Sequence, residues 1–592
     1  MSKKTKTLAL SLACMVVGTG LLAGCSGGGG TVSGKQEIGI SIFNGGHGTA
    51  WATDLATKFM QENPEYNEKY EIVFYPEKKN EQEITNAMSM EGSTTQAAIT
   101  SANRFQDGIL KGSAFEDLSD LLTRKVDGSE KTIKDKFEDY DTWKAIYSNK
   151  GEGLYALPFS DSILGLVIDH QMFIDNGWYE FATEADAGEV AAQGITYTVH
   201  RNGRLVFSSS TGESKYKEGD YILSKGHDNK YGTYDDGQPV DIAGWESMLE
   251  RIDASKTKCF ISSGASVDYT NFILYALFAQ YEGMTGWEAY FNYDSNGQTL
   301  KFINEDGTVR EDVMTLENGY SINEIEGVYK AYEFMYKYMN PNPSNNAKSA
   351  SWMHSACTAG AVTHIDAQNY FLTGLGKAGD KNNPQSAMLV DGAWWEYEAS
   401  TMFNHLGTDD ASRGYGQREY RYLVLPQLEG QKNDKSVFAS CETGVLLVGK
   451  DKDKERLACT KDFIAYLLKD SSLSYYTGVT GTLMWYDYEV SPEDYAKLTP
   501  FAKNVLDIYK DKENIDIVRS RLSCLESPLA YASARGSSAI MTPKFNGVGG
   551  GAALSVIKNH SLSEIRTGLI GYYTPSEWQS YINAVRMNGF NI

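Results

Sequence analysis

Apolar residues fall on every second position of Glu37-Ile38-Gly39-Ile40-Ser41-Ile42-Phe43, and a few residues later the spacing changes. From about Thr49, Trp51, Leu55, Phe59 and Met60 recur near one face of a helix. A period of two places alternate side chains on one side of a strand, whereas the helical period gathers every third and fourth on one stripe. Between them lies the loop Asn44-Gly45-Gly46-His47-Gly48, and Pro64 stops the helix because proline offers no N–H to continue it. The succession returns with a strand at Tyr70–Tyr75, a helix at Glu81–Met90, a strand at Ala97–Thr100, and on through Phe115–Leu122. Strands alternating with helices predict the α/β class, a mainly parallel sheet covered by helices. In such sheets ligands bind at the carboxyl ends of the strands, where the connecting loops gather.

The chain has 592 residues, more than one core fills, so at least two lobes are expected. Two stretches depart from the alternation. Between Asn176 and Val240 the chain is rich in Tyr, Gly and Ser, and within it Asn202-Gly203 separates two extended runs, the pattern of a β-hairpin. Phe291 to Val309 offers two more such steps, Asn296-Gly297 and Asp306-Gly307. Both stretches, about 176–240 and 291–309, are expected as β insertions. The last helices are expected at Ser491–Lys510, Ser561–Leu569 and Trp578–Met587.

Lys3, Lys4 and Lys6 precede an apolar run from Leu8 to Leu22 that ends in Leu22-Ala23-Gly24-Cys25. The run is too short and too rich in small residues to span a bilayer and has the form of a secretory leader. Small residues before a cysteine leave the room that a lipoprotein signal peptidase needs, with a thiol to carry diacylglycerol. Residues 1–24 are therefore expected to be removed and Cys25 to be lipidated. Ser26-Gly27-Gly28-Gly29-Gly30 opens a flexible tether over 25–36. Two or more acyl chains anchor stably, so the expected location is the extracytoplasmic face of the cell membrane. Loss of the three leader lysines takes the formal charge from −22 to −25. So acidic a chain repels phosphate backbones, which excludes nucleic acid as a partner. Aromatic residues make up 12% of the chain, with 38 Tyr and 10 Trp, far too apolar a composition for disorder. After Cys25 the cysteines are Cys259, Cys357, Cys441, Cys459 and Cys524. They are odd in number and contain no CxxC, so neither a zinc ribbon nor a disulfide framework is indicated.

Several chemistries are absent from the sequence. The Gly-Lys steps at Gly34, Gly376 and Gly449 are never followed by Ser or Thr, so there is no P-loop. Neither HExxH nor GxSxG occurs, and the eight histidines include no pair at metal-ligand spacing. Asn292-Tyr293-Asp294-Ser295-Asn296-Gly297 opens like a calcium loop, but its twelfth position is Ile303. No cofactor, no metal and no catalytic residue is expected.

Five separated segments, in order, carry a family resemblance. The first is the opening strand, its glycine loop and the helix ending Phe59-Met60-Gln61-Glu62-Asn63-Pro64. The second is Ser101-Ala102-Asn103-Arg104-Phe105 with Phe115-Glu116-Asp117-Leu118-Ser119-Asp120. The third is Gly153-Leu154-Tyr155-Ala156-Leu157-Pro158-Phe159, running on to Leu166-Val167-Ile168-Asp169. The fourth is Ala387-Met388-Leu389-Val390-Asp391-Gly392-Ala393-Trp394-Trp395. The fifth is Tyr422-Leu423-Val424-Leu425-Pro426, then Gly444-Val445-Leu446-Leu447-Val448 and the helix about Ala458–Leu468. Together, from about residue 37 to 485, they resemble the extracellular sugar-binding proteins of ABC importers, the class that includes the maltodextrin-binding proteins. The resemblance implies a two-lobed solute-binding fold, type II periplasmic-binding-like, that closes on a sugar. Lobe 1 would be 37–162 and 441–500, and lobe 2 would be 163–440 and 501–592, with crossings near Asp161–Leu166 and Ser440–Gly444. It also implies delivery of a carbohydrate, expected to be an oligosaccharide, to permease subunits by a monomeric, non-enzymatic receptor. The chain departs from the family in its two insertions and in Phe159-Ser160-Asp161-Ser162, which lacks a carboxylate one position later. Residues after Asp511 do not align.

A sugar presents faces of C–H and an edge of hydroxyls, which call for flat aromatic plates and planar polar groups. Trp394 and Trp395 follow a strand and Gly392, and in the resembling family the residue at the position of Trp394 stacks on the sugar. Trp51 follows the glycine loop, and Tyr269 and Phe272 match a family aromatic platform. For the polar edge, Asn103 and Arg104 match an acid–arginine pair of the family. Asp161 and Glu442 stand at the expected crossings, Asp391 before the tryptophans and Asn44 in the glycine loop. Each has a plainer reading, in the core for the aromatics and in a turn or surface ion pair for the polar groups. The rival functions are a surface-anchored glycoside hydrolase, which needs two carboxylates flanking the bond, and a binder of the same fold with a ligand such as a peptide.

Overall fold

In the computed structural model ten strands join in one sheet: β1 (Gln36–Ile42), β2 (Tyr70–Pro76), β3 (Thr95–Thr100), β4 (Leu157–Asp169), β5 (Lys258–Ile261), β6 (Ser386–Gly392), β7 (Tyr420–Leu423), β8 (Ser436–Val448), β9 (Leu483–Met484) and β10 (Ile515–Val518). The structure describes residues 34–587 apart from 78, 91, 103, 127–129, 138, 209–216 and 533–539, and without the side chains of 442, 443, 531 and 532. Cys25, the leader and Asn103 lie outside the described residues.

The strand order is β2-β1-β3-β8-β4-β6-β5, with β7 and β9 on β4 and β10 on β8. β1 runs parallel to β2 and β3, and β5 parallel to β6, as helical crossovers require. The two longest strands break that pattern. β4 is antiparallel to β6, β7, β8 and β9, and β8 is antiparallel to β3. The sheet is therefore mixed rather than mainly parallel.

The cores explain why. Ile38, Ile40 and Ile42 of β1, Ala97 to Ile99 of β3, Leu157 and Phe159 of β4 and Val445 to Val448 of β8 share one core. Leu164, Leu166 and Ile168 of β4, Met388 and Val390 of β6, and Val437 and Ala439 of β8 share another. On the opposite face of that half, Ile163 and Val167 of β4, Leu389 and Phe438 form a third, as the alternation of a strand dictates. β4 thus leaves the first half around Ser160–Ser162, and β8 returns to it around 442–444. Two strands crossing in opposite senses must pair antiparallel. Register irregularities in β8 fall at the same place, between Ser440 and 442 and between 443 and Val445.

Around Asn176–Val240 one hairpin forms, Tyr197–Val199 with Leu205–Phe207, and Leu205, Phe207, Ile222, Ala182 and Val190 give it a small core of its own. In the second insertion the hairpin is Thr299–Ile303 with Val309–Val313, turned by Asp306-Gly307. Asn296-Gly297 is not its turn. Both residues have positive φ, +50° and +77°, and they reverse the chain after the helix Tyr269–Asn292. The stretch 491–510 is two helices, Pro492–Lys497 and Pro500–Lys510, because Pro500 ends the first ladder and disfavours helix at Thr499. Among the described residues no helix is long and apolar enough to cross a membrane.

Candidate binding cleft

Connections from the carboxyl ends of β1 and β6, 43–49 and 393–395, meet where the halves face one another, with Ser101 after β3 beside the first of them. The loop after β1 is held by Asn44, whose Oδ1 accepts from the Gly48 N–H at 2.6 Å. Gly46 and Gly48 have φ of +79° and +71°, where only glycine is free of strain. A Cβ on Gly46 would lie 2.9 Å from Trp394 Cδ1, and one on Gly48 would lie 2.8 Å from the Tyr397 hydroxyl. The loop of the first half is thus seated on the aromatic residues of the second.

Trp394 is 5% exposed. Part of its cover comes across the seam from Gly46, and Tyr269 meets it edge to face at 6.1 Å and 83°. Tyr269 in turn lies 6.0 Å from the ring of His364. Behind these aromatics runs a polar chain. His364 Nε2 lies 3.3 Å from Glu398 Oε1, while Gln368 Nε2 donates to Glu398 Oε2 at 2.7 Å and to Asp391 Oδ2 at 3.0 Å. His364 and Gln368 both reach Glu398 because four residues separate them on one helix. Burial pushes the Asp391 carboxyl up to about 7, against the hydrogen bond from Gln368 and with the charge of Glu398. On the first half, Trp51 stacks on Phe159 at 5.3 Å and 25°, with Tyr476 at its edge. These three border a cavity of about 30 Å³ with Asn44, His47 and Ser160. A second cavity along the seam, about 70 Å³, lies between 478–481 of the first half and Glu396 and Tyr397 of the second. His47 is buried here and its pKa falls to about 4, chiefly through burial, with the Glu398 charge acting the other way.

The sequence-predicted residues separate on this frame. Trp394, Tyr269 and Asn44 come together at the seam, and Trp51 lines the adjoining cavity with its ring already packed. Trp395 belongs elsewhere: it is fully buried among Phe371, Phe403, Tyr420 and Phe501. Adjacent residues at the start of a helix point in different directions, so one indole of the pair faces the seam and the other the core. Phe272 is likewise core, edge-on to Tyr275. Asp161 does not face the cleft; it pairs with Arg519 at 2.8 Å and accepts from Ser440. Asp391 lies behind the tryptophan, bound by Gln368 and by the Gly392 N–H. Arg104 follows β3 as expected, half-buried, and its N–H donates to Glu81 Oε1 at 3.4 Å. The backbone of Glu442 pairs with Ser162, and its side chain is outside the described part. His47, His364, Gln368, Tyr397 and Glu398 were not anticipated.

No protein-family model and no curated protein matches the chain. Among solved structures, it is similar to the bacterial solute receptor AcbH, described as having an exclusive preference for β-D-galactopyranose, with 10% identity and a TM-score of 0.51 over 90% of this chain and 97% of that one. The fold is that of a two-lobed solute receptor. Weaker likenesses are a chitin oligosaccharide binding protein, at 11% identity and TM-score 0.47 over 93% and 98% of the chains, and RafE in complex with raffinose, at 12% and 0.47 over 92% and 100%. The assignment of fold rests on the first.

Proposed function

We propose that this chain is a lipid-anchored extracytoplasmic receptor that captures a carbohydrate between its halves and presents it to an ABC importer. The observation that carries the reading is the seam itself: a glycine loop from one half seated on Trp394 and Tyr397 of the other, with the halves joined by β4 and β8. A ligand entering there meets an indole and two phenols, backed by carboxylate, amide and imidazole groups, a combination that suits a ring of hydroxyls and C–H faces. Ligand contact with both halves favours closure, because those contacts exist together only in the closed form. That solved neighbours of this fold include sugar receptors agrees with the reading, as does the Cys25 leader pattern for the anchor.

Asp391 and Glu398 are both engaged by the single Gln368 Nε2 and lie behind the plate, which supports binding over cleavage. Calorimetry against mono- and oligosaccharides and peptides tests this. Saturable binding of a carbohydrate is expected, weakened about thirtyfold in Trp394→Ala, the effect of losing roughly 2 kcal/mol at a buried aromatic anchor. Binding of peptides alone, or the appearance of shortened sugars, would overturn it.

A further inference from the structure

Another cavity lies on the other side of β4, a strand that joins the halves. Successive residues of a strand point to opposite faces: Ser160 lines the small cavity beside Trp51, and Asp161 lines one of about 550 Å³. That is the size of a small-molecule site. Four separate stretches wall it: β4 at Asp161, Lys435 before β8, residues 483–488 and residues within 508–519. Leu483, Tyr488, Tyr509 and Ile517 face it half-buried.

Arg519 is its fixed point. Nε donates to Asp161 Oδ2 at 2.9 Å, Nη2 lies 2.8 Å from the same oxygen, and the guanidinium lies 4.1 Å from the centroid of the Trp485 ring. These contacts set the plane of the group and occupy one edge. A guanidinium carries five N–H donors, and among the described residues none accepts from Nη1. Each carboxylate that reaches the cavity is matched: Asp161 by Arg519, Asp516 by Lys435 at 3.2 Å and Asp487 by Lys131 at 2.7 Å. Among the residues that line the cavity, Lys435, Lys510, Lys512 and Arg519 stand against Asp161, Asp487 and Asp516. The cavity therefore has a surplus of cations in a chain of net charge −22.

A cationic mouth draws anions, and a rigid guanidinium with a spare edge suits a carboxylate. Apolar walls favour an organic body over a bare inorganic ion. We propose that this cavity is a second ligand site, for a small organic carboxylate held by Arg519, with its body against Tyr488, Tyr509 and Ile517. It is independent of the carbohydrate cleft.

Titration of the full chain with benzoate at constant ionic strength tests it. One saturable site is expected, with inorganic phosphate weaker. Arg519→Gln should weaken benzoate at least about tenfold, because a hydrogen bond to a charged group is worth roughly 1.5–3 kcal/mol. Ile517→Trp, which fills the cavity, should abolish binding, and Lys510→Glu on the exposed rim should weaken it. Trp394→Ala should leave it unchanged. If Arg519→Gln releases Asp161 and fails to fold, the other two variants decide. The proposal fails if benzoate gives no saturable heat, if phosphate binds as tightly, or if folded Ile517→Trp and Lys510→Glu bind benzoate like the parent chain.

Discussion

His47 stands between the two halves with its ring 3.1 Å from the Thr482 hydroxyl and its pKa lowered from 6.5 to about 4. Between those values the unfolded chain takes up a proton that the folded chain refuses. The stability His47 contributes is therefore whole above about pH 6.5 and lost as pH falls towards about 4. His227, also buried and lowered to about 4, behaves alike. Asp391 and Glu396, both raised by burial to about 7, act in the opposite sense: their cost is absent below the ordinary carboxylate pKa and grows as pH rises to about 7. The wild-type profile is thus flattened by two sets of buried groups, and single substitutions should tilt it. His47→Gln should gain stability relative to the parent chain at about pH 5 compared with about pH 7.5, read from urea unfolding at both. An unchanged difference between the two pH values would mean that His47 is not held neutral at the seam.

The helix Ser520–Glu526 connects what the sheet divides. Its Leu522 and Leu525 pack in the first core, its Cys524 in the second, and Ser523 Oγ accepts from Trp287 Nε1 at 3.2 Å. Leu522→Ala should cost about 2–5 kcal/mol, the range for truncating a buried leucine, seen as a lower unfolding midpoint. A loss under about 1 kcal/mol would show that the helix only rests against the first half. This element was hidden in the sequence, since a short mixed stretch such as Ser520–Glu526 has no period strong enough to mark it. β1 and the helices Ala50–Glu62 and Glu81–Ser89 were legible because their apolar periods are clean. The directions of β4 and β8 were not, because strands buried on both faces are continuous apolar runs that carry no sign of direction. At the site, Trp394 and Trp395 are identical in composition and differ only in which way one helical turn points them. The spacing of His364 and Gln368 marks one helix face, but nothing in it names Glu398 as their shared partner.

At the scale of the whole molecule, net charge and seam chemistry pull apart. The chain is strongly acidic, yet the polar groups nearest Trp394 are occupied with one another: Glu398 with His364 and Gln368, Asp391 with Gln368 and the Gly392 N–H. The seam cavities of about 30 and 70 Å³ leave no room for a sugar ring, so capture of a sugar as proposed would require the halves to part and close again around it. A neutral carbohydrate held there replaces water on dipoles and aromatic faces and displaces no counter-ion. Its affinity should therefore stay flat between about 0.05 M and about 0.5 M salt, a range over which interactions between exposed charges are progressively screened. Benzoate at Arg519 should weaken over the same range, since rim cations contribute to its capture. Calorimetry with both ligands on one preparation makes the comparison internal. A carbohydrate affinity that fell more than about threefold across that range would mean a charged ligand, and would move the recognition of the sugar from Trp394 and Tyr269 to ionic groups.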